Sequence, residues 1–376
     1  MKKVLYVATV ASHICQFHLP YLEMLQSKGV CVHVAARDNL AEKNGLQLKF
    51  TDKYFDVPFE RSPKSKRNIR AYKELKNIIS ENQYDLIVCN TPMGSILTRL
   101  AARKSRKCGT KVIYIAHGFH FYKGAPKKNW IVFYPIEKIF AKLCDTVVTI
   151  NKEDFEFAKK YFKTQVRHIH GIGVSNKRFR PVDREEKIKL RETIGLLSDD
   201  FIILCTGELN KNKNQEQLIK SAARLIDKIP NLKILLAGNG PNEQNLRQLI
   251  KDLKLENVVT LLGYRTDLER ITPVVDMVVS CSRREGMPLN IIEGMLCGKP
   301  IVATYNRGHS ELIDNGVNGF LVPIGDVEDI AEKISEIYSD CGKTQKFSHN
   351  SQVIAQKYTV DFVSSELSDI LFKNEE

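Results

Sequence analysis

Short apolar segments alternate with longer amphipathic segments along this chain, and the whole alternation occurs twice. In the first half, the apolar segments are residues 4–8, 30–35, 86–89, 112–115 and 146–150, and helical periodicity fills residues 19–28, 68–80, 94–106, 131–143 and 152–162. Strands that are apolar on both faces are typical of a parallel sheet covered by helices on both sides. The pattern therefore predicts a doubly wound α/β domain.

A second domain of the same class is predicted after residues 171–181, where the turn-rich sequence G-I-G-V-S-N-K-R-F-R-P indicates a linker. Strands are expected at residues 201–205, 233–237, 258–261, 277–280 and 301–303, and helices at residues 214–227, 242–253, 289–297 and 328–338. The length of 376 residues also favours two domains. We expect domains over residues 1–175 and 176–360, and a final helix over residues 361–376 that packs back on the first domain.

Ligands of open parallel sheets bind beyond the carboxyl ends of the strands, so the segments that follow the predicted strands are candidates for function. The first strand is followed by A-S-H-I-C-Q-F-H, with His13, Phe17 and His18, and the fourth by A-H-G-F-H, with His117 and His120. In the second half, G-E-L-N-K-N-K-N, G-N-G-P and G-Y-R follow three strands. We expect the two edges to face a shared cleft.

Residues 281–300, C-S-R-R-E-G-M-P-L-N-I-I-E-G-M-L-C-G-K-P, follow another predicted strand and contain Glu285 and Glu293. Because proline is well tolerated in the first turn of a helix, Pro288 predicts a helix start. The N–H groups of the three residues after Pro288 then form an anion site between two carboxylates. Two carboxylates with an anion site between them suit a nucleotide sugar, which carries a diphosphate between two sugar rings. The alternative is that both glutamates are solvated, since their spacing is common by chance.

Positive charge is concentrated in the first half of the chain. Residues 1–180 carry 33 Lys and Arg against 14 Asp and Glu, whereas residues 181–376 carry 24 against 30. Basic residues next to the apolar, aromatic segment that begins at Trp130 favour docking on an anionic membrane surface, and solvated helix faces are the alternative. Nucleic acid is not expected, because no helix-turn-helix, zinc-finger or RNA-recognition pattern accompanies the charge.

The nine cysteines are dispersed singly, which is typical of a protein in a reducing cytosol and not of disulfides or a zinc site. The N-terminal M-K-K runs into a predicted strand rather than into a signal segment with a cleavage site. No stretch has the length and apolarity of a transmembrane helix. We therefore expect a cytoplasmic protein that is peripheral on the inner face of the cell membrane.

The run E-G-M-P-L-N-I-I-E-G-M-L-C-G-K-P-I-V-A resembles the Glu-x7-Glu element of the retaining glycosyltransferases of family 4. The resemblance extends over nearly the whole chain, through a His-Gly pair in the first half and Gly-x5-Lys, G-N-G-P, G-Y-R and N-G-x-N-G-F in the second. It implies the GT-B fold, an α/β architecture of two facing Rossmann-like domains with a C-terminal helix that crosses back. The first half is similar to the branch that builds capsule or exopolysaccharide repeat units on a lipid carrier.

The resemblance also implies roles for particular residues. Glu293 would bind the ribose hydroxyls, Glu285 the hydroxyls of the donor sugar, and Lys213 the diphosphate as it leaves. His117 would donate to a sugar hydroxyl or to the acceptor. Further donor-binding residues are expected at Gly207, Lys211, Gly238, Gly240, Tyr264, Arg265, Gly286, Leu289, Asn290 and Ile291. Acceptor-side contacts are expected at His13, Phe17, His18 and His120, and a purely structural role is the alternative for these histidines.

The sequence departs from the family pattern at two places. Glu208 directly follows the glycine of the phosphate loop, where family members commonly carry Arg. A carboxylate there would repel a diphosphate unless it points away or unless Lys211, Arg283 and Arg284 compensate. The first loop lacks the Gly-Gly-x-Gly signature that many relatives use near the acceptor.

No Asp-x-Asp motif occurs in the chain, and we expect neither a metal nor a cofactor. The sequence predicts a retaining, metal-independent glycosyltransferase that moves a hexose or an N-acetylhexosamine from a nucleotide diphosphate sugar, expected to be UDP-linked, to a saccharide acceptor. The expected acceptor is linked to polyprenyl pyrophosphate, as in bacterial surface polysaccharide synthesis. Two alternatives remain: a non-hydrolysing nucleotide-sugar epimerase of the same fold, and a non-enzymatic basic adaptor that binds membrane or nucleic acid.

Overall fold

The computed structural model describes residues 2–42 and 45–372, and this part of the chain divides into two compact units. Unit 1 runs up to Ile172 and resumes at Val363, and unit 2 spans Gly173–Phe362. The unit boundaries therefore fall within the turn-rich segment after residue 171 and inside the final helix. Residues 373–376, which the sequence assigns to the final segment, lie outside the described residues.

Unit 1 contains a parallel sheet of seven strands within the described residues. The strands are β1 (Lys3–Val10), β2 (Cys31–Arg37), β3 (Lys53–Asp56), β4 (Leu86–Asn90), β5 (Lys111–Ala116), β6 (Thr146–Thr149) and β7 (Gln165–His168). Their order is β3-β2-β1-β4-β5-β6-β7, so the winding reverses between β1 and β4. The loops on either side of such a reversal diverge and leave a crevice at the carboxyl ends of the strands.

Helices connect these strands and cover the sheet. They are α1 (Ala11–Phe17), α2 (Leu19–Ser27), α3 (Arg67–Asn82), α4 (Pro92–Ala101), α5 (Arg103–Lys107), α6 (Lys127–Ala141) and α7 (Lys152–Tyr161). Two expectations were wrong. The His- and Phe-rich segment after β1 is the helix α1 rather than a loop, because β1 passes directly into helical backbone at Ala11. The single helix expected over residues 94–106 is divided at Ala102 into α4 and α5.

Unit 2 repeats the architecture with six parallel strands among the described residues. The strands are β8 (Phe201–Thr206), β9 (Leu232–Ala237), β10 (Val259–Gly263), β11 (Met277–Ser280), β12 (Ile301–Thr304) and β13 (Gly319–Val322). The helices are α8 (Arg184–Thr193), α9 (Gln215–Ala222), α10 (Glu243–Asp252), α11 (Leu268–Ile271), α12 (Leu289–Leu296), α13 (Arg307–Leu312), α14 (Val327–Ser339) and α15 (Cys341–Ala355). The order β10-β9-β8-β11-β12-β13 places the reversal between β8 and β11.

The last helix, α16 (Val360–Phe372), joins unit 1 from Val363 onward. Its buried residues are Val363, Leu367 and Leu371, whose spacing of four places them on one face. The carboxylate of Glu366 accepts a hydrogen bond from the backbone N–H of His170 at 3.0 Å and lies 2.8 Å from its Nδ1. This helix therefore completes the hydrophobic packing of unit 1, although the hydrogen bond between His170 and Glu366 joins residues 196 positions apart in sequence.

None of the helices in the described part of the chain combines the length and the apolarity that crossing a membrane requires.

Candidate active site

The candidate donor site lies in unit 2, where the winding of the sheet reverses between β8 and β11. The segment after β8 carries Lys213, and the segment after β11 carries Glu285. The Nζ of Lys213 lies 2.7 Å from Oε1 of Glu285, in an ion pair between two side chains that are mostly buried. Two residues 72 positions apart in sequence, expected to hold the diphosphate and the sugar, are therefore direct neighbours.

Gly207 makes room for the lysine of this pair. A Cβ at Gly207 would lie 3.0 Å from Cε of Lys213, and the backbone φ of Gly207 is +142°, which side chains rarely adopt. The backbone N–H of Lys213 donates to Oδ1 of Asn210 at 2.9 Å. A glycine at the strand end and a side-chain-capped turn thus direct the ammonium group towards Glu285.

The loops that follow β8 and β9 lie against each other through backbone contacts. Leu209 donates its N–H to the carbonyl of Asn239, and Asn242 donates its N–H to the carbonyl of Leu209, both at 2.9 Å. A Cβ at Gly238 would lie 2.0 Å from the carbonyl oxygen of Gly207, and one at Gly240 would lie 2.3 Å from that of Leu209. G-N-G-P therefore supplies two glycines because the phosphate loop leaves no space for side chains.

Glu285 is also held from the side of β12. The helix α13 approaches so closely that a Cβ at Gly308 would lie 2.8 Å from the Cβ of Glu285. The carboxamide of Asn306 accepts from the N–H groups of Gly308 and His309 and so caps this helix. The same side chain donates to the carbonyl of Ser282 at 2.9 Å, which ties the two segments together.

His309 is a residue of this site that the sequence analysis missed. It is fully buried, its Nδ1 lies 2.6 Å from the carbonyl of Thr304, and burial lowers its pKa to about 4. Glu285 and Lys213 act on the same pKa in opposite directions, so His309 stands near both charges. His309 lies in the segment that follows the strand predicted at residues 301–303, and that position was the available signal because ligands of open parallel sheets bind beyond the carboxyl ends of the strands.

Glu293 lies on α12 and is partly buried. Burial raises the pKa of its carboxyl group to about 7. The positive charge of Arg178 lowers this pKa, and the negative charge of Glu269 raises it by a smaller amount. Arg178 and Glu269 form an ion pair with each other at 2.9 Å. A carboxyl group whose pKa burial raises to about 7 is a candidate for a functional position.

The start of α12 differs in one respect from the expectation. Pro288 is its N-cap, as predicted for a helix that begins there, and Leu289 and Asn290 occupy the first two helical positions. The N–H of Ile291, however, donates to the carbonyl of Pro288 at 3.2 Å. The prediction of three free amides was therefore wrong at Ile291, because the first turn closes one residue early. The side chain of Asn290 donates to the carbonyl of Thr206 at 3.2 Å and fixes α12 against the end of β8.

A second group of polar residues, the histidine cluster formed by His13, His18 and His117, lies in unit 1. His13 lies on α1, His18 follows that helix, and His117 follows β5. Nε2 of His13 lies 3.3 Å from Nε2 of His18, and the ring of His117 lies 4.7 and 5.0 Å from theirs, centroid to centroid. The segments that follow β1 and β5, the two strands on either side of β4, bring these three imidazoles together.

The hydrogen bonds of Asn90 determine which nitrogen of His117 carries a proton. Nδ2 of Asn90 donates to the carbonyl of Val7 at 3.3 Å, which directs its Oδ1 to Nε2 of His117, also at 3.3 Å. With the amide in this orientation, Nε2 donates to Asn90 and Nδ1 carries the lone pair. In this tautomer His117 would accept a hydrogen bond from a substrate hydroxyl, whereas the sequence led us to expect that it donates one. Burial lowers the pKa of all three histidines, of His13 to about 4, so the cluster is neutral at physiological pH.

The other two acceptor-side candidates lie differently. The ring of Phe17 packs edge-on against His13, with centroids 5.0 Å apart. His120 is exposed and stacks on Phe133 of α6 with centroids 4.6 Å apart, and it is not a member of the cluster.

Two family models match the chain. The model of glycosyl transferases group 1 matches residues 186–353, and the model described as glycosyl transferase 4-like matches residues 3–151. A putative glycosyltransferase, EpsD, of Bacillus subtilis (strain 168) is 42% identical over 371 residues, which cover 98% of this chain and 96% of EpsD. The chain belongs to glycosyltransferase family 4.

Further similarities agree with this membership. The UDP-Gal:alpha-D-GlcNAc-diphosphoundecaprenol alpha-1,3-galactosyltransferase of Escherichia coli is 28% identical to this family 4 member over 287 residues, 73% of each chain. The crystal structure of Anabaena Alr3699/HepE in complex with UDP superposes with a TM-score of 0.79 at 24% identity and covers 99% of both chains. The fold is GT-B, with two Rossmann-like domains.

The remaining expected donor residues of this glycosyltransferase have other contacts. The guanidinium of Arg265 forms two hydrogen bonds with Asp267, at 2.8 and 2.6 Å, which lower the pKa of that carboxyl group. Tyr264 beside it is 57% exposed, and Gly286 is partly exposed after Glu285. Lys211 lines a cavity of about 570 Å³ next to α10, and neither Lys213 nor Glu285 lines that cavity.

The structure also shows where the unusual carboxylate of the phosphate loop lies. Glu208 is exposed, and its Oε2 accepts a hydrogen bond from Nδ2 of Asn210 at 2.9 Å. Arg283, one of the expected compensating cations, donates to the carbonyl of Lys211 and to Oδ1 of Asn214 at 3.2 and 3.3 Å. Arg283 therefore stiffens the loop, and the positive charge at Gly207 comes from Lys213.

Proposed function

We propose that this protein is a retaining, metal-independent glycosyltransferase that moves a hexose or an N-acetylhexosamine from a UDP-sugar to a saccharide on polyprenyl pyrophosphate. The likeness to a structure that binds UDP supports the nucleotide. The Escherichia coli relative, whose name gives UDP-Gal as its donor and a diphosphoundecaprenol-linked sugar as its acceptor, supports the hexose and the lipid carrier. The similarity to EpsD supports a role in bacterial exopolysaccharide or capsule synthesis.

The observation that carries the proposal is the ion pair between Lys213 and Glu285. A mostly buried ammonium group beside the close backbone approach of two loops is a preorganised site for the charge that develops on a departing diphosphate. In the free protein Glu285 compensates this charge. A bound donor gives Lys213 its phosphate oxygens and leaves the Glu285 carboxylate to accept hydrogen bonds from hydroxyls of the sugar.

Charge neutralisation by Lys213 makes a divalent metal dispensable at the phosphates, in keeping with the absence of an Asp-x-Asp motif from the sequence. Retention follows when the acceptor hydroxyl attacks from the face of the leaving group. The departing phosphate oxygen then takes the proton of that hydroxyl, and the new glycosidic bond forms as the bond from the anomeric carbon to the phosphate breaks. Glu293 accepts hydrogen bonds from the ribose diol, and Nδ1 of His117 accepts one from a hydroxyl of a substrate.

A lipid-linked acceptor places the enzyme at a membrane surface, and α6 offers a face for it. Ile131, Val132 and Ile139 expose 74%, 50% and 60% of their surface. Exposed lysines at Lys127 and Lys128 begin the same helix. Apolar side chains flanked by lysines suit insertion among anionic headgroups, and we assign this face to the cytoplasmic leaflet.

The test is transfer and donor binding in Lys213→Ala, with Lys220→Ala as the matched control. Lys220 also pairs with a glutamate in unit 2, Glu216, but at the exposed surface of α9. We expect Lys213→Ala to lower kcat by about 100-fold or more, as losing a preorganised charge contact does, and Lys220→Ala to have no effect. Transfer should persist in EDTA, and nuclear magnetic resonance should show the anomeric configuration of the donor in the product. Undiminished transfer in Lys213→Ala would refute the proposal.

A further inference from the structure

We propose that the histidine cluster, His13, His18 and His117, binds one divalent transition metal ion of the zinc type. Each residue offers a ring nitrogen, and these ligand atoms lie within 4.8 Å of one another. Within the described residues this is the only group of three or more His, Cys, Asp or Glu side chains that converges in this way.

The distance between the first two ligands already fits a metal site. Zinc bound tetrahedrally at about 2.0–2.1 Å from each nitrogen holds its ligand atoms roughly 3.3–3.4 Å apart. Nε2 of His13 lies 3.3 Å from Nε2 of His18. The two distances that involve His117 are at most 4.8 Å, so its ligand nitrogen has to approach the other two by no more than about 1.5 Å.

The outer contacts of the cluster orient the rings as metal ligands require. Nδ1 of His18 lies 3.1 Å from the hydroxyl of buried Tyr6, and in the tautomer in which Nδ1 donates to that hydroxyl, the lone pair of Nε2 is available to a metal. The Oδ1 of Asn90 holds the proton of His117 on Nε2 and leaves Nδ1 free to coordinate. Histidine ligands of metals are usually fixed by a hydrogen bond of the second ring nitrogen in this manner.

The donor set selects the metal. Three imidazoles without a carboxylate or a thiolate favour Zn²⁺, Co²⁺, Ni²⁺ and Cu²⁺ over Mg²⁺ and Ca²⁺, which prefer oxygen ligands. Three protein ligands also leave a fourth position for water or another small ligand.

Metal binding has a consequence for transfer that rests on the proposed function. A metal ion takes the lone pair that His117 needs for a substrate hydroxyl, so an occupied cluster inhibits transfer. The donor-binding residues belong to unit 2 and the cluster to unit 1. Metal at the cluster therefore leaves Lys213 and Glu285 as they are, and the site acts as an inhibitory metal sensor rather than as part of the chemistry.

The decisive experiment is a Co²⁺ titration of the tag-free, metal-stripped full chain, followed by visible absorption. We expect one equivalent of Co²⁺ to give the intense bands of tetrahedral coordination, one equivalent of Zn²⁺ to abolish them, and Mg²⁺ to have no effect. The variants His13→Gln and His117→Asn should weaken binding at least about 10-fold, the effect typical of losing even an outer contact of a metal ligand. His349→Gln, which changes an exposed histidine of α15, is the matched control and should bind as the wild type does.

A stoichiometry other than one, or unchanged binding in His13→Gln with an unchanged circular dichroism spectrum, would overturn the inference. Since absorption reports the metal directly, this result does not depend on activity. The inhibitory consequence is tested separately: Zn²⁺ should inhibit transfer by the wild type and not by His13→Gln. Failure of the metal-free protein to bind a UDP-sugar would count against the proposed function alone.

Discussion

The carbonyl oxygen of Gly207 occupies the place where Gly238 would carry a Cβ, at a distance of 2.0 Å from the ideal position of that atom. Two loops at the carboxyl ends of β8 and β9 therefore meet backbone to backbone. Neither loop can move away freely, because Gly207 donates its N–H to the carbonyl of Ala237 and Gly238 donates to that of Gly263. The position of the phosphate loop, and with it Lys213, depends on this contact.

Gly238→Ala should disturb the donor site as well as the fold. The new methyl group must displace the Gly207 backbone, and a φ of +150° adds strain, so we expect a loss of stability of about 1–3 kcal/mol together with weaker UDP-sugar binding. Urea denaturation and calorimetric titration measure the two effects. Gly316→Ala is the control, since Gly316 also has a positive φ, +78°, but nothing lies within 4 Å of its Cβ position. Equal donor affinity in both variants would contradict the role assigned to the contact.

The affinity for a UDP-sugar should depend on the ionisation of Glu293. Its pKa of about 7 in the free protein means that acid converts the carboxylate acceptor into a carboxylic acid. Binding to the ribose diol favours the ionised form, so the dissociation constant should rise as pH falls below 7, by at most about tenfold per pH unit. Calorimetric titration between about pH 5.5 and 8.5, a range that brackets the pKa of Glu293, measures this slope.

Glu293→Gln supplies the comparison for that titration, because an amide does not ionise in this range. Its affinity for the UDP-sugar should not change with pH. At pH 8, ~1 unit above the pKa of the native carboxyl group, its affinity should be lower than that of the wild type. A UDP-sugar is preferable to UDP, whose terminal phosphate itself titrates near pH 6, at about the second pKa of a phosphate monoester. An identical slope in both proteins would assign the pH dependence to another group.

Unit 1 should be sensitive to loss of the buried cation Arg99. Its side chain is fully buried, and its guanidinium lies 3.4 Å from Glu137 and stacks over Tyr114. Arg99→Met leaves the buried carboxylate without its partner, which typically costs about 3–5 kcal/mol. Urea denaturation should show most of that loss restored in the double variant with Glu137→Gln, which removes the charge and keeps an acceptor for the hydroxyl of Tyr114. A double variant as unstable as Arg99→Met would show that the loss of stability comes from packing and not from the unpaired charge.

Membrane docking through α6 should depend on both lipid charge and the apolar face. We expect the wild type to float with anionic vesicles and not with zwitterionic ones, and Ile131→Asp to lose most of this binding because a carboxylate disfavours insertion. Leu197→Asp is the control, since Leu197 is 65% exposed but belongs to unit 2. Flotation that is indifferent to lipid charge, or equal in both variants, would show that α6 is an ordinary solvated helix.

The central strands of both sheets could be predicted because burial on both faces leaves a continuous apolar run. The strands that the sequence did not predict are β3, β7 and β13; β3 and β7 carry charged or polar residues at their ends and lack such a run, whereas β13, Gly319–Val322, contains the apolar residues F-L-V and was overlooked. In β3, Lys53–Asp56, the terminal residues are charged and exposed because the strand lies at the edge of the sheet. Helix α1 was missed for a different reason, since its N-cap, Val10, provides no side-chain hydrogen bond that would mark a start.

The candidate site was predictable in its residue types and less so in its contacts. Glu285, Glu293, Lys213 and His117 could be selected because each follows a strand or lies in a recognisable motif. The ion pair between Lys213 and Glu285 joins segments 72 residues apart, and only the sheet order brings them together. Arg265 was expected to bind the donor, but it pairs with its near neighbour Asp267. The sequence alone does not show whether such an arginine pairs with a neighbour or points towards a ligand.

The assignment of α16 to unit 1 has a consequence for the order of events on the ribosome. All of Gly173–Phe362 is translated between the body of unit 1 and the residues that complete it. At about 5–20 residues per second this interval lasts on the order of 10–40 s, during which the surface that receives Val363, Leu367 and Leu371 is uncovered. Nascent unit 1 is thus an incomplete folding intermediate until late in synthesis, and it is a natural client for chaperones that shield apolar surface.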